Sequence, residues 1–116
     1  LVIIGILVLI ALPNLMPMIS KAKSTEAQIQ LTHIQSLQKT YFYMHSTYSN
    51  DLNTIDYIPE KTKNEGGRAN YTYEIIEATN STFKARATAI SDFNRDGKFN
   101  VWEIDQDQNL KEVVKD

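Results

Sequence analysis

A chain of 116 residues holds one domain, because single cores span about 100 to 200 residues. Twelve Lys and Arg against fourteen Asp and Glu leave a formal net charge of −2, a balance that argues against electrostatic capture of nucleic acid or anionic lipid. The chain has no cysteine, which excludes both disulfides and thiolate metal sites.

The first element is apolar on every side. Leu1 to Leu12 carry no polar side chain, Asn14 is the only one before Ser20, and Lys21 is the first charge. This head, Leu1 to about Ile19, is shorter than the roughly 20 continuous apolar residues of a bilayer span, and Pro13 and Pro17 interrupt it. A signal-peptide core reads similarly, but wants a basic segment before it and a small-residue cleavage site after it. A soluble domain rarely packs a helix that is apolar all round.

From Ser24 the pattern becomes amphipathic: Ala27, Leu31, Ile34, Leu37, Tyr41 and Met44 recur three or four apart, and Gln28, Thr32, Gln35, Ser36 and Lys39 form the solvated face. The spacing predicts a helix over 24–46, continuous with the head as a rod of about 45 residues, or about 65 Å at 1.5 Å per residue. Residues 47–70 hold Asn50, Asp51, Asn53, Pro59, Asn64, Gly66 and Gly67 and read as a loop.

Four strands follow: Tyr71 to Ala78, Phe83 to Ala89, Phe99 to Ile104 and Leu110 to Val114. Close spacing predicts an antiparallel meander over 71–116, although Ala and Lys also permit a helix over 83–90. The fold class is α+β, a long apolar-to-amphipathic helix packed on a small meander. Residues 1–23 form the head and 24–116 the globular part.

The sharpest motif is DFNRDGKFNVWE, Asp92 to Glu103, which satisfies the pattern D-x-[DN]-x-[DN]-G-x5-E of a calcium loop. Calcium wants hard oxygen ligands on a tightly curved backbone: carboxylates from Asp92 and Asp96, an amide oxygen from Asn94 and the backbone carbonyl of Lys98. Gly97 allows the turn, and Phe99 anchors the loop to the core. Glu103 fills the last ligand position, but four residues of strand cover about 13 Å and carry it away from the loop, which leaves Asn100, Asp105 or Asp107 to replace it. The alternative is an Asp- and Asn-rich hairpin turn that needs no metal.

Catalytic signals are weak. His33 and His45 lie on the same helix without the i, i+4 spacing of a zinc pair, and no nucleophile, base and acid set or phosphate-binding glycine loop is visible. An enzyme is not expected. The six tyrosines suit packing of the helix against the sheet.

IIGILVLIALP followed by a long amphipathic helix, a loop region and a small meander resembles the type IV pilin and pseudopilin family. KAKSTEAQIQLTHIQSLQKTYFYMHSTYS and FKARATAISDFNRDGKFNVWEID extend the resemblance along the chain. In that family the head follows a basic leader cut by a prepilin peptidase, and the mature chain begins with a methylated aromatic residue and carries an early glutamate. Neither is present, and aligning Gly5 and Pro13 with the family's glycine and proline places Leu1 inside the usual mature head. The expectation is a head truncated at its N-terminus.

The resemblance implies a homo-oligomeric helical filament. Its subunits wait in the bacterial inner membrane and join an extracellular pilus through an assembly ATPase and a membrane platform. It also implies that the segment from Gly5 to Pro13 loses helical form on assembly, and that calcium at Asp92, Asn94, Asp96, Lys98 and Glu103 closes the C-terminal region where relatives use a disulfide. Adhesion, motility, DNA uptake and secretion by a type II pseudopilus share this head. Outside the family, a single-span membrane-anchored binding module and a calcium-sensing helical domain are the alternatives.

Overall fold

The computed structural model describes residues 15–92 and 97–115. Their order is one helix, α1 (Leu15–His45), a loop region containing a 3-10 turn at Lys63–Glu65, and four strands, β1 (Tyr71–Ala78), β2 (Phe83–Ala89), β3 (Val101–Asp105) and β4 (Leu110–Val114). The strands form one antiparallel sheet in the order β1-β2-β3-β4, the expected meander. Strands therefore occupy the stretches that a calcium-sensing helical domain would need as helices. Gly5 and Pro13 lie outside the described residues, and among those described no helix is long and apolar enough to cross a membrane.

The helix runs unbroken across the expected boundary between residues 23 and 24. It ends where Ser46 turns into the left-handed region at φ 58°, with the Ser46 N–H still bonded to the Phe42 carbonyl. Ala27, Leu31 and Ile34 are fully buried, and Leu37 and Tyr41 pack beside them. Two positions depart from the expected stripe. Met44 is 73% exposed, whereas Gln35, expected on the solvated face, is only 2% exposed. Gln35 is buried because its amide, like that of Gln38, finds partners in the chain packed against the helix. Gln38 Nε2 donates to the Ser49 carbonyl at 2.6 Å while its Oε1 accepts the Ser49 N–H at 2.9 Å.

The inner face of β2 is Phe83, Ala85, Ala87 and Ala89, all buried, and its outward residues are half-buried. The methyl side chains of Ala85, Ala87 and Ala89 leave room on β2 for α1, which also packs on β3. Tyr71, Tyr73, Ile75, Trp102, Ile104 and Leu110 complete the core on the same face. A register shift between Ile75 and Glu77 bulges β1 beside Ile76, which lies on the outward face with Thr72 and Glu74.

The loop region is more tightly held than its composition suggests. Ile55 and Tyr57 enter the core, the Tyr57 hydroxyl donates to Gln30 Oε1 at 3.0 Å, and Thr62 bridges Ala69. Gly67 is required there, because a Cβ would collide with the Lys61 backbone carbonyl.

Candidate functional site: the loop between β2 and β3

The loop leaves the sheet after Ala89 and re-enters at Val101, and backbone hydrogen bonds pin both ends. Ala89 N–H donates to the Asn100 carbonyl at 2.9 Å and Ile90 N–H to the Asn70 carbonyl at 3.0 Å. Within it, the Asp92 carboxylate accepts the Gly97 N–H, and Gly97 sits at φ 85° with nothing within 4 Å of the Cβ it lacks. That left-handed conformation is the sharp turn the motif assigned to this glycine, and it is strained for any L side chain. Asn94 and Asp96 lie outside the described residues.

Anchoring of the loop falls to Asn100 and not to Phe99. Phe99, the expected anchor, is 46% exposed and precedes β3, which begins at Val101. Asn100 is 0% exposed instead, and every hydrogen-bonding direction of its amide is used. Its Oδ1 accepts the Tyr71 hydroxyl and, at 2.8 Å, the Trp102 indole N–H, while Nδ2 donates to Glu112 Oε2 and the Val114 carbonyl, both at 2.8 Å. The loop's exit is thus tied to β1, β3 and β4 together. The Asn100 side chain, a possible replacement ligand by sequence, serves this network instead.

Glu103 lies on β3 directly opposite Arg86 on β2. Its Oε2 accepts Arg86 Nη2 at 2.7 Å and Nε at 2.9 Å, and Arg86 Nη1 lies 3.9 Å from Glu74 on β1. The last position of the calcium pattern is therefore engaged across the sheet. Asp105 closes the β3–β4 turn by accepting the Asp107 and Asn109 N–H groups at 2.9 and 3.0 Å and Asn109 Nδ2 at 3.1 Å. Slight burial raises its carboxyl pKa, but these bonds and the Lys111 charge outweigh it and hold it below the usual range. Asp107 accepts Gln106 Nε2 at 3.3 Å.

Calcium needs several oxygens on one curved segment. Of the residues the pattern names, the Asp92 carboxylate lies in the loop against the Gly97 N–H, whereas the Glu103 carboxylate lies on the sheet against Arg86. Among the described residues no group of three His, Cys, Asp or Glu side chains is placed to hold a metal. His33 and His45 pack against aromatic rings, Tyr57 at 5.9 Å and Tyr41 at 4.2 Å between centroids.

Residues 13–98 match the family model described as type IV minor pilin ComP, DNA uptake sequence receptor. Over 66 residues, 57% of this chain, the sequence is 36% identical to the type IV major pilin protein PilA of Myxococcus xanthus (strain DK1622). The match covers 30% of that relative, so the chain spans less than a third of its length. The fold is similar to the crystal structure of the non-core minor pilin PilV of Neisseria meningitidis, with a TM-score of 0.63 and 13% identity, covering 84% of this chain and 90% of that one.

Proposed function

The chain belongs to the type IV pilin family, whose members are structural subunits of pilus filaments and not enzymes, and from that premise we propose that it polymerises into an extracellular filament through its N-terminal helix. The observation that carries this reading is the helix itself. Its sheet-facing side is buried from Ser24 onward, and the same element continues toward a sequence that is apolar on all sides. Such a segment is costly in water and stable in lipid or packed against copies of itself. One head then serves both the inner membrane before assembly and the fibre core after it. Maturation by a prepilin peptidase and assembly on an inner-membrane platform belong to the same proposal. So does loss of helix between Gly5 and Pro13, where proline removes a donor and crowds the carbonyl of Leu9.

Calcium in the Asp92 loop is the finer part of the proposal. Asp92 and the Lys98 carbonyl, with Asn94 and Asp96, would hold the ion, which would neutralise the loop's carboxylates and stiffen it. Electron microscopy of material sheared from the cell surface tests the main reading: fibres containing this chain support it. Their absence from cells that export the chain overturns it. A density map with unbroken helix from Leu1 to Ser24 would remove the melting step alone.

DNA reception is a second reading, favoured by the description of the matched family model. Against it stand the net charge of −2 and Arg86, whose guanidinium lies between Glu103 and Glu74. A mobility shift with duplex DNA that persists at physiological salt would establish it.

A further inference from the structure

The chain contains two Asn-x-Thr tripeptides, Asn70-Tyr71-Thr72 and Asn80-Ser81-Thr82. In an exported protein this tripeptide is the acceptor signal for asparagine-linked glycans, and it works on accessible surface loops. The two copies sit in opposite surroundings.

Asn70 is closed. Its Nδ2 donates to Glu26 Oε1 at 3.0 Å and its backbone N–H to Oε2 at 2.9 Å. The middle residue, Tyr71, is buried with its hydroxyl on Asn100, and Thr72 is already in the β1–β2 ladder. Presenting this amide to an enzyme means undoing the start of β1.

Asn80 is open. It stands at the tip of the β1–β2 hairpin, where Asn80 and Ser81 are both exposed. Thr79 holds the turn: its N–H bonds the Thr82 carbonyl at 2.8 Å, and its hydroxyl accepts the Ser81 and Thr82 N–H groups at 3.2 and 2.9 Å. Below the tip, the Thr79 carbonyl accepts the Tyr48 N–H at 3.0 Å. The turn is therefore built without the Asn80 amide, which takes part in none of these bonds. The hairpin tip also lies beside the C-terminal end of α1, the end remote from the apolar head, so a bulky group there leaves the head clear.

The geometry points to Asn80 as an asparagine-linked glycosylation acceptor that takes an oligosaccharide from a polyprenyl-pyrophosphate-linked donor. This rests on the reading of the chain as an exported filament subunit, since the transferase and its donor act outside the cytoplasm. In the transfer, Asn80 Nδ2 forms a bond to the anomeric carbon of the sugar. The bond from that carbon to the pyrophosphate oxygen breaks, polyprenyl pyrophosphate leaves, and the amide gives up one proton to the transferase. Thr82 supplies the hydroxyl two residues on that the signal requires.

Peptide mass spectrometry of the full chain, collected from the surface of the cells that make it, tests the assignment. The peptide containing Asn80 is expected to carry a glycan mass that is lost completely in Asn80→Gln and in Thr82→Val and is unchanged in Asn70→Gln. An unmodified Asn80, or a glycan that survives Asn80→Gln, overturns it. The same material viewed by electron microscopy separates the two readings: fibres with unmodified Asn80 overturn the acceptor and leave the filament role standing, whereas a glycosylated chain absent from fibres does the reverse.

Discussion

The carboxylate of Glu26 on the helix accepts two hydrogen bonds from Asn70, one from its backbone N–H at 2.9 Å and one from its side-chain amide at 3.0 Å, across 44 residues of sequence. This clamp sets where β1 starts relative to α1, because Asn70 immediately precedes Tyr71. Bonds to a charged acceptor contribute about 1.5 to 3 kcal/mol, and Glu26 is half-buried, so Glu26→Ala should cost about 1 to 2 kcal/mol of unfolding free energy. Glu26→Gln keeps one acceptor oxygen and should lose roughly half of that. Urea unfolding followed by Trp102 fluorescence measures both; equal losses in the two variants would mean that the second bond contributes nothing.

Asn100 should be among the least replaceable polar residues in the chain. Asn100→Ala removes the acceptor shared by the Tyr71 hydroxyl and the Trp102 N–H and the donor to the Val114 carbonyl, in surroundings that run from fully to partly buried, and each buried polar group that loses its bond costs about 1 to 3 kcal/mol. A loss of about 3 kcal/mol or more is expected. Asn100→Asp should be worse, since it sets an acceptor against Glu112 and a carbonyl where a donor stood. A stable Asn100→Asp protein with unchanged Trp102 emission would contradict the network.

Much of the fold was legible because burial imposes a period. The spacing of Ala27, Leu31 and Ile34 marks the buried helix face, and Phe83, Ala85, Ala87 and Ala89 mark the inner face of β2. What stayed hidden depends on partners distant in sequence. Gln35 looks like a solvated residue until Gln108 and the Gln106 carbonyl come within 3.4 Å of its amide. Asn100, a lone amide between Phe99 and Val101, carries no sign that the Tyr71 hydroxyl and the Trp102 N–H converge on it. Phe99 had the hydrophobicity of an anchor, but the strand begins two residues later and leaves it outside. Glu103 matched a ligand pattern along the chain, whereas its partner is set by the register of two strands. The Asp92 and Gly97 turn was readable because only a few residue types reverse a backbone so sharply.

The pair of Arg86 and Glu103 is half screened by solvent, with the arginine side chain 38% exposed, which limits its contribution. A double-mutant cycle with Arg86→Ala and Glu103→Ala should give a coupling of about 1 kcal/mol that shrinks by more than half at high salt. Adding calcium should leave the coupling unchanged, since Glu103 is held on the sheet. A coupling that disappears when calcium is added would return Glu103 to the metal site.

Alkaline pH should loosen the contact of the helix and loop with the sheet. Burial, reinforced by the negative charges of Glu26 and Glu60, pushes the Tyr57 hydroxyl up to about 12, and burial with the Glu26 charge raises that of Tyr73 as well. A raised folded-state pKa contributes stability that is complete below the ordinary value of about 10 and is lost as pH climbs through the folded value. Stability should therefore decline between about pH 10 and 12, and Tyr57→Phe should flatten that decline. The ultraviolet phenolate signal against pH, set beside circular dichroism, shows whether unfolding accompanies ionisation; a slope unaltered in Tyr57→Phe counts against this assignment.

The Asp92 loop offers the test that separates metal binding from a plain turn. Asp92 accepts the Gly97 N–H, so Asp92→Ala removes a turn-closing bond under both readings, and a drop in stability alone decides nothing. The discriminating quantity is the effect of chelator. With calcium bound, removing it from the parent chain lowers the melting temperature and opens the loop to protease, because an ion that binds only the folded state stabilises it by mass action. In Asp92→Ala and Asp96→Ala both chelator effects should vanish. Gly97→Ala, which forces a methyl-bearing residue to φ 85°, should cost about 1 kcal/mol or more and weaken the chelator response too, since the turn that gathers the oxygens is lost. If chelator changes neither melting nor proteolysis of the parent chain, Asp92 and Gly97 form a metal-free turn closed by the Asn100 network.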